Sequence, residues 1–123
     1  MTEYVILLPG DESRWEQASA EQRAAVYGRH EEFARTLEAR GHKVTGGAEL
    51  THSRTAKQVR KDAGGAVVIT DGPYAETVEQ LSGFYLVESD DLDDLLQICA
   101  ILADEEGIEV RAVVDHSGEE PRS

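Results

Sequence analysis

The sequence predicts an α+β fold: an antiparallel sheet with two helices on one face and an inserted β-hairpin. Three observations carry that prediction. Short apolar runs at residues 4–8, 66–70, 83–88 and 108–114 have the length and side chains of strands. Two stretches, about residues 20–40 and 91–103, repeat their apolar residues with helical spacing. Gly and Pro cluster between these runs, where turns are needed. Strand, helix, strands, helix, strand is the ferredoxin-like order, with a hairpin over residues 53–70 inserted into it. Residues 1–115 make one domain, and the polar residues 116–123 form a tail expected to fray.

Taken in order, Glu3 to Leu8 reads as a strand that is apolar after its first residue, and Pro9-Gly10-Asp11 ends it. A polar loop carrying Trp15 follows. Ser19 and Gln22 have the spacing of a capping box, so a helix begins near Ala20 and runs to about Arg40, where Gly41 stops it. Val26, His30, Phe33 and Leu37 form its inner stripe, and each apolar member is worth roughly 1.5–3 kcal/mol on burial. His42 to Leu50 holds a short strand interrupted by Gly46-Gly47. Ser53 to Arg60 reads as an exposed strand, paired with Ala66–Thr70 through the Asp62-Ala63-Gly64-Gly65 turn. Asp90 is the expected N-cap of the second helix, whose first turn carries Asp91, Asp93 and Asp94 at the positive end of the dipole. Its inner face is read as Leu92, Leu95, Leu96, Cys99, Leu102 and Ala103, with Ile98 and Ile101 outside it. Ile108 to Val114 closes the sheet.

Composition excludes several classes. Twelve basic against twenty-five acidic residues give a net charge of −13, which repels phosphate backbones and anionic lipid. Neither nucleic-acid nor membrane binding is expected. The one basic concentration, Arg54, Lys57, Arg60 and Lys61, reads as the solvated face of an edge strand. A single cysteine, Cys99, rules out a disulfide framework and, on an apolar helix face, reads as a core filler. The start MTEYVILLPGDE lacks a basic signal-peptide region, and no apolar run has membrane length, so a cytoplasmic location is expected. There is no glycine-rich nucleotide fingerprint and no cofactor is expected. His42 and His52 match no metal-ligand spacing, and the acidic run 88–94 lacks the alternation and glycine of a calcium loop.

One pattern bears on assembly. Residues 4–8 are apolar on both faces, Tyr4, Ile6 and Leu8 on one and Val5 and Leu7 on the other. Phe84 and Leu86 against Tyr85 and Val87 repeat this. Such strands need cover on both sides, and two helices supply only one layer. A homodimer in which two sheets face one another is the simplest solution.

The longest motif is Thr70-Asp71-Gly72-Pro73-Tyr74-Ala75-Glu76-Thr77, continued by Gly83-Phe84-Tyr85-Leu86-Val87-Glu88. It resembles the signature of the YCII-related (DGPF-domain) family, roughly tDGPFaEtkEqlgGFyliE, with Tyr74 for the usual Phe and Val78 for the usual Lys. The resemblance runs from Tyr4 to Val114 and departs at Ala112, where relatives commonly have Pro. It implies a dimeric α+β barrel. It also implies a helix histidine paired with an aspartate after the first strand. The matching positions are His30, within His30-Glu31-Glu32-Phe33, Leu37 and Gly41, and Asp11.

Asp71 is a competing partner, because its loop is expected at the same end of the sheet. A His–Asp pair serves as general base or acid, with the carboxylate fixing the tautomer. The bland alternatives are a core histidine bonded to a carbonyl or to Tyr27, and an Asp71 that only builds an Asx-turn. The candidate catalytic residues are therefore His30, Asp11 and Asp71, and the candidate ligand contacts Trp15, Gly72, Pro73, Tyr74, Glu76 and Phe84. The expected function is binding of a small molecule by a homodimer. The alternatives are an enzyme of proton abstraction or elimination, dehydrochlorinase-like by the resemblance, and an accessory protein linked to an extracytoplasmic-function sigma factor. Ile98 and Ile101 are the hint of a regulatory interface.

Overall fold

The computed structural model describes residues 1–71, 80–105 and 107–117. Gly72, Pro73, Tyr74 and Glu76, four of the expected ligand contacts, lie outside the described residues, as do residues 118–123 of the tail. The elements are β1 (Thr2–Gly10), α1 (Glu12–Gln17), α2 (Ala20–Ala39), β2 (Lys43–Glu49), a 3-10 turn (Ser53–Thr55), β3 (Lys57–Lys61), β4 (Val67–Asp71), β5 (Gln80–Ser89), α3 (Leu92–Cys99) and β6 (Glu109–Ala112). Four strands form an antiparallel sheet in the order β2-β5-β1-β6, and β3 and β4 make a separate two-stranded sheet. This is an α+β arrangement consistent with a ferredoxin-like fold, with the hairpin inserted between β2 and β5. Among the described residues no helix is long and apolar enough to cross a membrane.

The register explains the core. Ile6 lies opposite Tyr85 and Val110, and Tyr4 opposite Val87, so these side chains share one face. Ile6 and Val87 are fully buried there against Phe33 and Leu37 of α2 and Leu95, Ile98 and Cys99 of α3. The opposite face carries Val5 beside Leu86 and Leu7 beside Phe84, all half-buried.

Helix α2 forms where its ends are chemically marked. Ser19 Oγ accepts the Gln22 N–H at 3.1 Å while Gln22 Oε1 accepts the Ser19 N–H at 2.8 Å, a complete capping box. At the far end Gly41 takes φ 85°, and the N–H groups of Gly41 and His42 fold back onto the carbonyls of Glu38 and Leu37. That wrap satisfies the last carbonyls and turns His42 inward.

Three elements differ from the sequence reading. The loop around Trp15 is a short helix, because Asp11 caps it and accepts the Arg14 N–H at 3.1 Å. Five polar residues and one tryptophan show no apolar periodicity, so capping was the one signal for it. Residues 53–55 form a 3-10 turn, and the strand begins at Lys57. In α3 the cap is Asp91, and the phase is rotated: Ile98 is 2% exposed and Ile101 packs on the core, whereas Leu92 and Leu96 are 40% and 45% exposed. Nine apolar residues from 92 to 103 exceed one stripe, and Leu95, Ile98, Cys99 and Leu102 are the set that the core takes. Ile98 and Ile101 therefore offer no regulatory interface.

His42 is a buckle between three elements. Its side chain is 3% exposed, with Nδ1 2.8 Å from Ser89 Oγ and Nε2 2.8 Å from Asp94 Oδ2. Asp94 also pairs with Arg40, and Ser89 Oγ accepts the Asp91 N–H at 3.0 Å. With the ring proton on Nε2, every donor finds an acceptor: Asp91 N–H to Ser89 Oγ, Ser89 O–H to Nδ1, Nε2–H to Asp94. The set has the composition of a hydrolytic triad. Ser89, only 1% exposed, is closed to any substrate. His42→Ala should lower unfolding free energy by about 2–3 kcal/mol, because it strands a buried hydroxyl and removes a bond to a carboxylate. A urea titration followed by circular dichroism measures this.

Candidate functional site

The expected histidine sits on α2, one turn from the buried Phe33, and is half-buried. Its Nδ1 lies 2.8 Å from the phenol oxygen of Tyr85, and the two rings are 5.8 Å apart. Phe33 packs against the same phenol ring at 5.1 Å. Tyr85 reaches this position from the helix-facing side of β5. Opposite it on β2 stands Gly47, at φ 151°, where a Cβ would lie 2.6 Å from the Phe84 carbonyl and 3.2 Å from Tyr85 Cδ1. Glycine is what lets β2 pass so close to the ring.

A second aromatic pair adjoins the first along α2. Tyr27, one turn before His30, directs its hydroxyl to the Glu49 carboxylate at 3.2 and 3.4 Å, tying the helix to β2. Trp15 of α1 meets Tyr27 edge-on at 5.6 Å, and the Arg23 guanidinium lies 5.1 Å over the indole. Arg23 also donates to the Trp15 carbonyl at 2.9 Å, which fixes α1 on α2. His30, Phe33 and Tyr85 form one aromatic group, and Trp15 with Tyr27 forms a second, one turn earlier along α2.

Burial is the main influence on its charge state. It lowers the His30 pKa below the ordinary 6.5, Arg29 adds to the effect, and Glu49 opposes it. Burial also raises the Tyr85 phenol above its usual value. Imidazole and phenol are both neutral near pH 7. The neutral pair has two arrangements, which differ in the imidazole tautomer. If Tyr85 donates to Nδ1, Nε2–H is a donor for a ligand; if Nδ1–H donates to Tyr85, Nε2 is a base.

The other expected residues divide. Trp15 packs on Tyr27, one turn before His30 on α2. Asp11 is exposed and spends its carboxylate on the α1 cap. Asp71 ends β4 and pairs with Lys57 across the hairpin, both side chains exposed. Among the described residues no hydrogen bond joins His30 to either aspartate; the partner is Tyr85. Phe84, neighbouring Tyr85 in the strand, faces the opposite side of the sheet with Leu7. The sequence reading missed Tyr85, Gly47 and Glu49. Tyr85 was legible in principle, since strand alternation puts it with Val87 on the helix side. Its bond to His30 depends on how the helix crosses the sheet.

The remaining reactive groups serve structure. His52 Nδ1 accepts the Arg54 N–H at 3.0 Å and lies 3.5 Å from Glu12 of α1, while Nε2 lies 3.6 Å from Glu16 of the same helix. Cys99 is buried, its thiol pushed up to about 11, far from a thiolate at neutral pH.

The YCII-related domain family matches residues 2–116 of this chain. A protein of Rhizobium meliloti (strain 1021), described as uncharacterized, is 43% identical over 56 residues, which are 46% of this chain and 44% of that protein. The chain thus aligns with less than half the length of that relative.

The lowered His30 pKa makes stability depend on pH in a definite direction. The unfolded chain, with its histidine near 6.5, takes up the proton first as pH falls. The His30 contribution is intact above that value and is lost as pH drops from it toward the depressed folded value. Between about pH 7 and pH 5 the urea midpoint of the wild type should therefore fall further than that of His30→Gln.

Proposed function

The chain belongs to the YCII-related family, and on that premise we propose that it is a cytoplasmic homodimer that binds a small molecule against His30 and Tyr85. The observation that supports the site is the 2.8 Å bond between His30 Nδ1 and the Tyr85 hydroxyl, with Phe33 against the phenol ring and the Trp15–Tyr27 pair one turn away on α2. A half-buried neutral imidazole, with its second nitrogen not engaged by any bond among the described residues, is a directional handle inside an aromatic wall. It suits a small polar aromatic compound, such as a phenol or an aromatic acid, which stacks on the wall and hydrogen-bonds to Nε2. Support for the homodimer comes from Val5, Leu7, Phe84 and Leu86, an apolar row in the middle of the sheet on the face away from the core.

The same two atoms support an enzymatic second reading. With Nδ1–H donated to the Tyr85 oxygen, Nε2 carries the free lone pair and can take a proton from a bound substrate, and the resulting imidazolium keeps its Nδ1–H bond to the phenol. Proton abstraction needs no aspartate in that case.

Two measurements test the proposal. In thermal denaturation with phenols and aromatic acids, a binder at a hundred times its Kd stabilises by about 2.7 kcal/mol and raises the melting temperature by several degrees. The shift should vanish in His30→Gln and shrink in Tyr85→Phe; equal shifts in all three proteins would refute the site. Conversion of the bound compound, lost in His30→Gln, would distinguish an enzyme from a binding protein. In light scattering the wild type should have twice the 13.5 kDa mass of one chain, and Leu7→Glu should return it to a single chain.

A further inference from the structure

The connector between β2 and β3 meets α1 through one histidine that stands between two kinds of partner. His52 precedes the 3-10 turn Ser53–Thr55, and its Nδ1 accepts the Arg54 N–H at 3.0 Å, the cap of that turn. Behind the cap, the Thr55 N–H donates to the His52 carbonyl and the Ala56 N–H to that of Ser53, both at 2.9 Å. The chain then runs directly into β3 at Lys57. On its other side the ring faces α1. The same Nδ1 lies 3.5 Å from Glu12 Oε2, and Nε2 lies 3.6 Å from Glu16 Oε1. The His52 side chain is 26% exposed, so protons reach the ring from solvent.

These contacts favour opposite protonation states. To cap Arg54, Nδ1 must keep its lone pair, and that lone pair then faces a carboxylate oxygen with no proton between them. Proton uptake at Nδ1 reverses both relations. Nδ1–H now meets the Arg54 N–H, donor against donor, while Glu12 gains a charge-assisted hydrogen bond. Separations of 3.5 and 3.6 Å are longer than such bonds, so closing them moves the ring toward α1 and off the Arg54 amide. Both carboxylates are held in place. The Ser53 N–H donates to Glu12 Oε2 at 2.5 Å, and the Arg54 guanidinium pairs with Glu16. Burial raises the Glu12 carboxyl, but the Ser53 bonds, His52 and Arg54 together bring it below its usual value, so it is ionised where an imidazole titrates. Among the described residues, the charged groups against the ring are Glu12 and Glu16 of α1 and, on the turn itself, Arg54.

We propose that His52 is a proton-operated latch between α1 and the root of the β3–β4 hairpin: neutral, it caps the turn that leads into β3; protonated, it releases the Arg54 N–H and clamps Glu12 and Glu16. Acidification through the range in which imidazoles take up a proton thus loosens the root of the hairpin and tightens α1 on the connector. Helix α1 carries Trp15 against Tyr27, one turn from His30 on α2, so the latch sets how α1 is held beside that histidine. It requires neither the ligand nor the homodimer proposed above.

Nitrogen-15 NMR of the full chain between about pH 8 and pH 5 tests the latch on the His52 ring nitrogens and the Arg54 amide. At the upper end His52 should be the Nε2–H tautomer. Through the ring's titration the Arg54 amide should shift with the same midpoint. Its protection against solvent exchange, corrected for the intrinsic pH dependence, should fall about five- to tenfold. His52→Asn caps through its side-chain oxygen but takes up no proton, so its Arg54 amide should stay protected throughout. Glu12→Gln keeps an acceptor for Ser53 and loses the charge, so the transition should move to lower pH. A His52 ring that titrates while the Arg54 amide stays unchanged overturns the latch. So does an Arg54 amide that responds equally in His52→Asn. A midpoint identical in the wild type and Glu12→Gln overturns Glu12 as the partner of the protonated ring.

Discussion

The structure depends on one imbalance: the sheet is apolar on two faces, and the helix layer covers one. Ile6 and Val87 are sealed beneath α2 and α3, and they define which side of every strand is inside. Once that is set, alternation assigns the rest. Tyr85 must face the helices and Phe84 must face away; Val5 and Leu7 must lie with Phe84 and Leu86. Burying the outer row as well would contribute about 25 cal/mol for each Å² of apolar surface removed from water, which a single chain forgoes.

The sequence resolved the parts of this that depend on local chemistry. The limits of α2 were legible because Ser19, Gln22 and Gly41 act on backbone groups within a turn of themselves. The hairpin was legible from Asp62 and the two glycines after it. What depends on distant packing was misread. The run from Leu92 to Ala103 is apolar nearly all round, so periodicity could not choose its phase; the core chose Ile98 over Leu96. His42 was read only as the start of a strand segment and as matching no metal-ligand spacing. Its role needs Ser89 and Asp94, more than forty residues away, and no pattern within one segment announces that. The family relationship, read from the Asp71-Gly72-Pro73 motif, was legible because it rests on identity of residues rather than on packing.

The site illustrates the same division. His30 was placed correctly on the inner stripe of α2, since its position follows from Phe33 and Leu37. Its partner was not. An aspartate is the usual companion of a working imidazole because it favours the charged ring, and the sequence offered two. The structure gives the imidazole a phenol, which carries no charge to favour the protonated ring, while burial and Arg29 hold the ring neutral. Burial lowers the His30 pKa and raises that of Tyr85, so neither group assists ionisation of the other by charge. Moving the phenol proton onto this imidazole would create a phenolate and an imidazolium in a half-buried place, so the neutral pair favours recognition of a neutral hydrogen-bonding group over stabilisation of a cation.

Strand β5 then links the two surfaces of the protein. Tyr85 bonds to His30 on one side of the sheet, while Phe84 and Leu86, its immediate neighbours, stand in the apolar row on the other. A displacement of β5 that seats Phe84 better against a covering surface must also move the Tyr85 hydroxyl relative to Nδ1, because adjacent residues of a strand share a rigid backbone. Gly47 tightens that coupling. Its missing side chain lets β2 lie close against the Phe84 carbonyl and the Tyr85 ring together. The state of the outer face and the geometry of the His30–Tyr85 bond are therefore two readings of one backbone position.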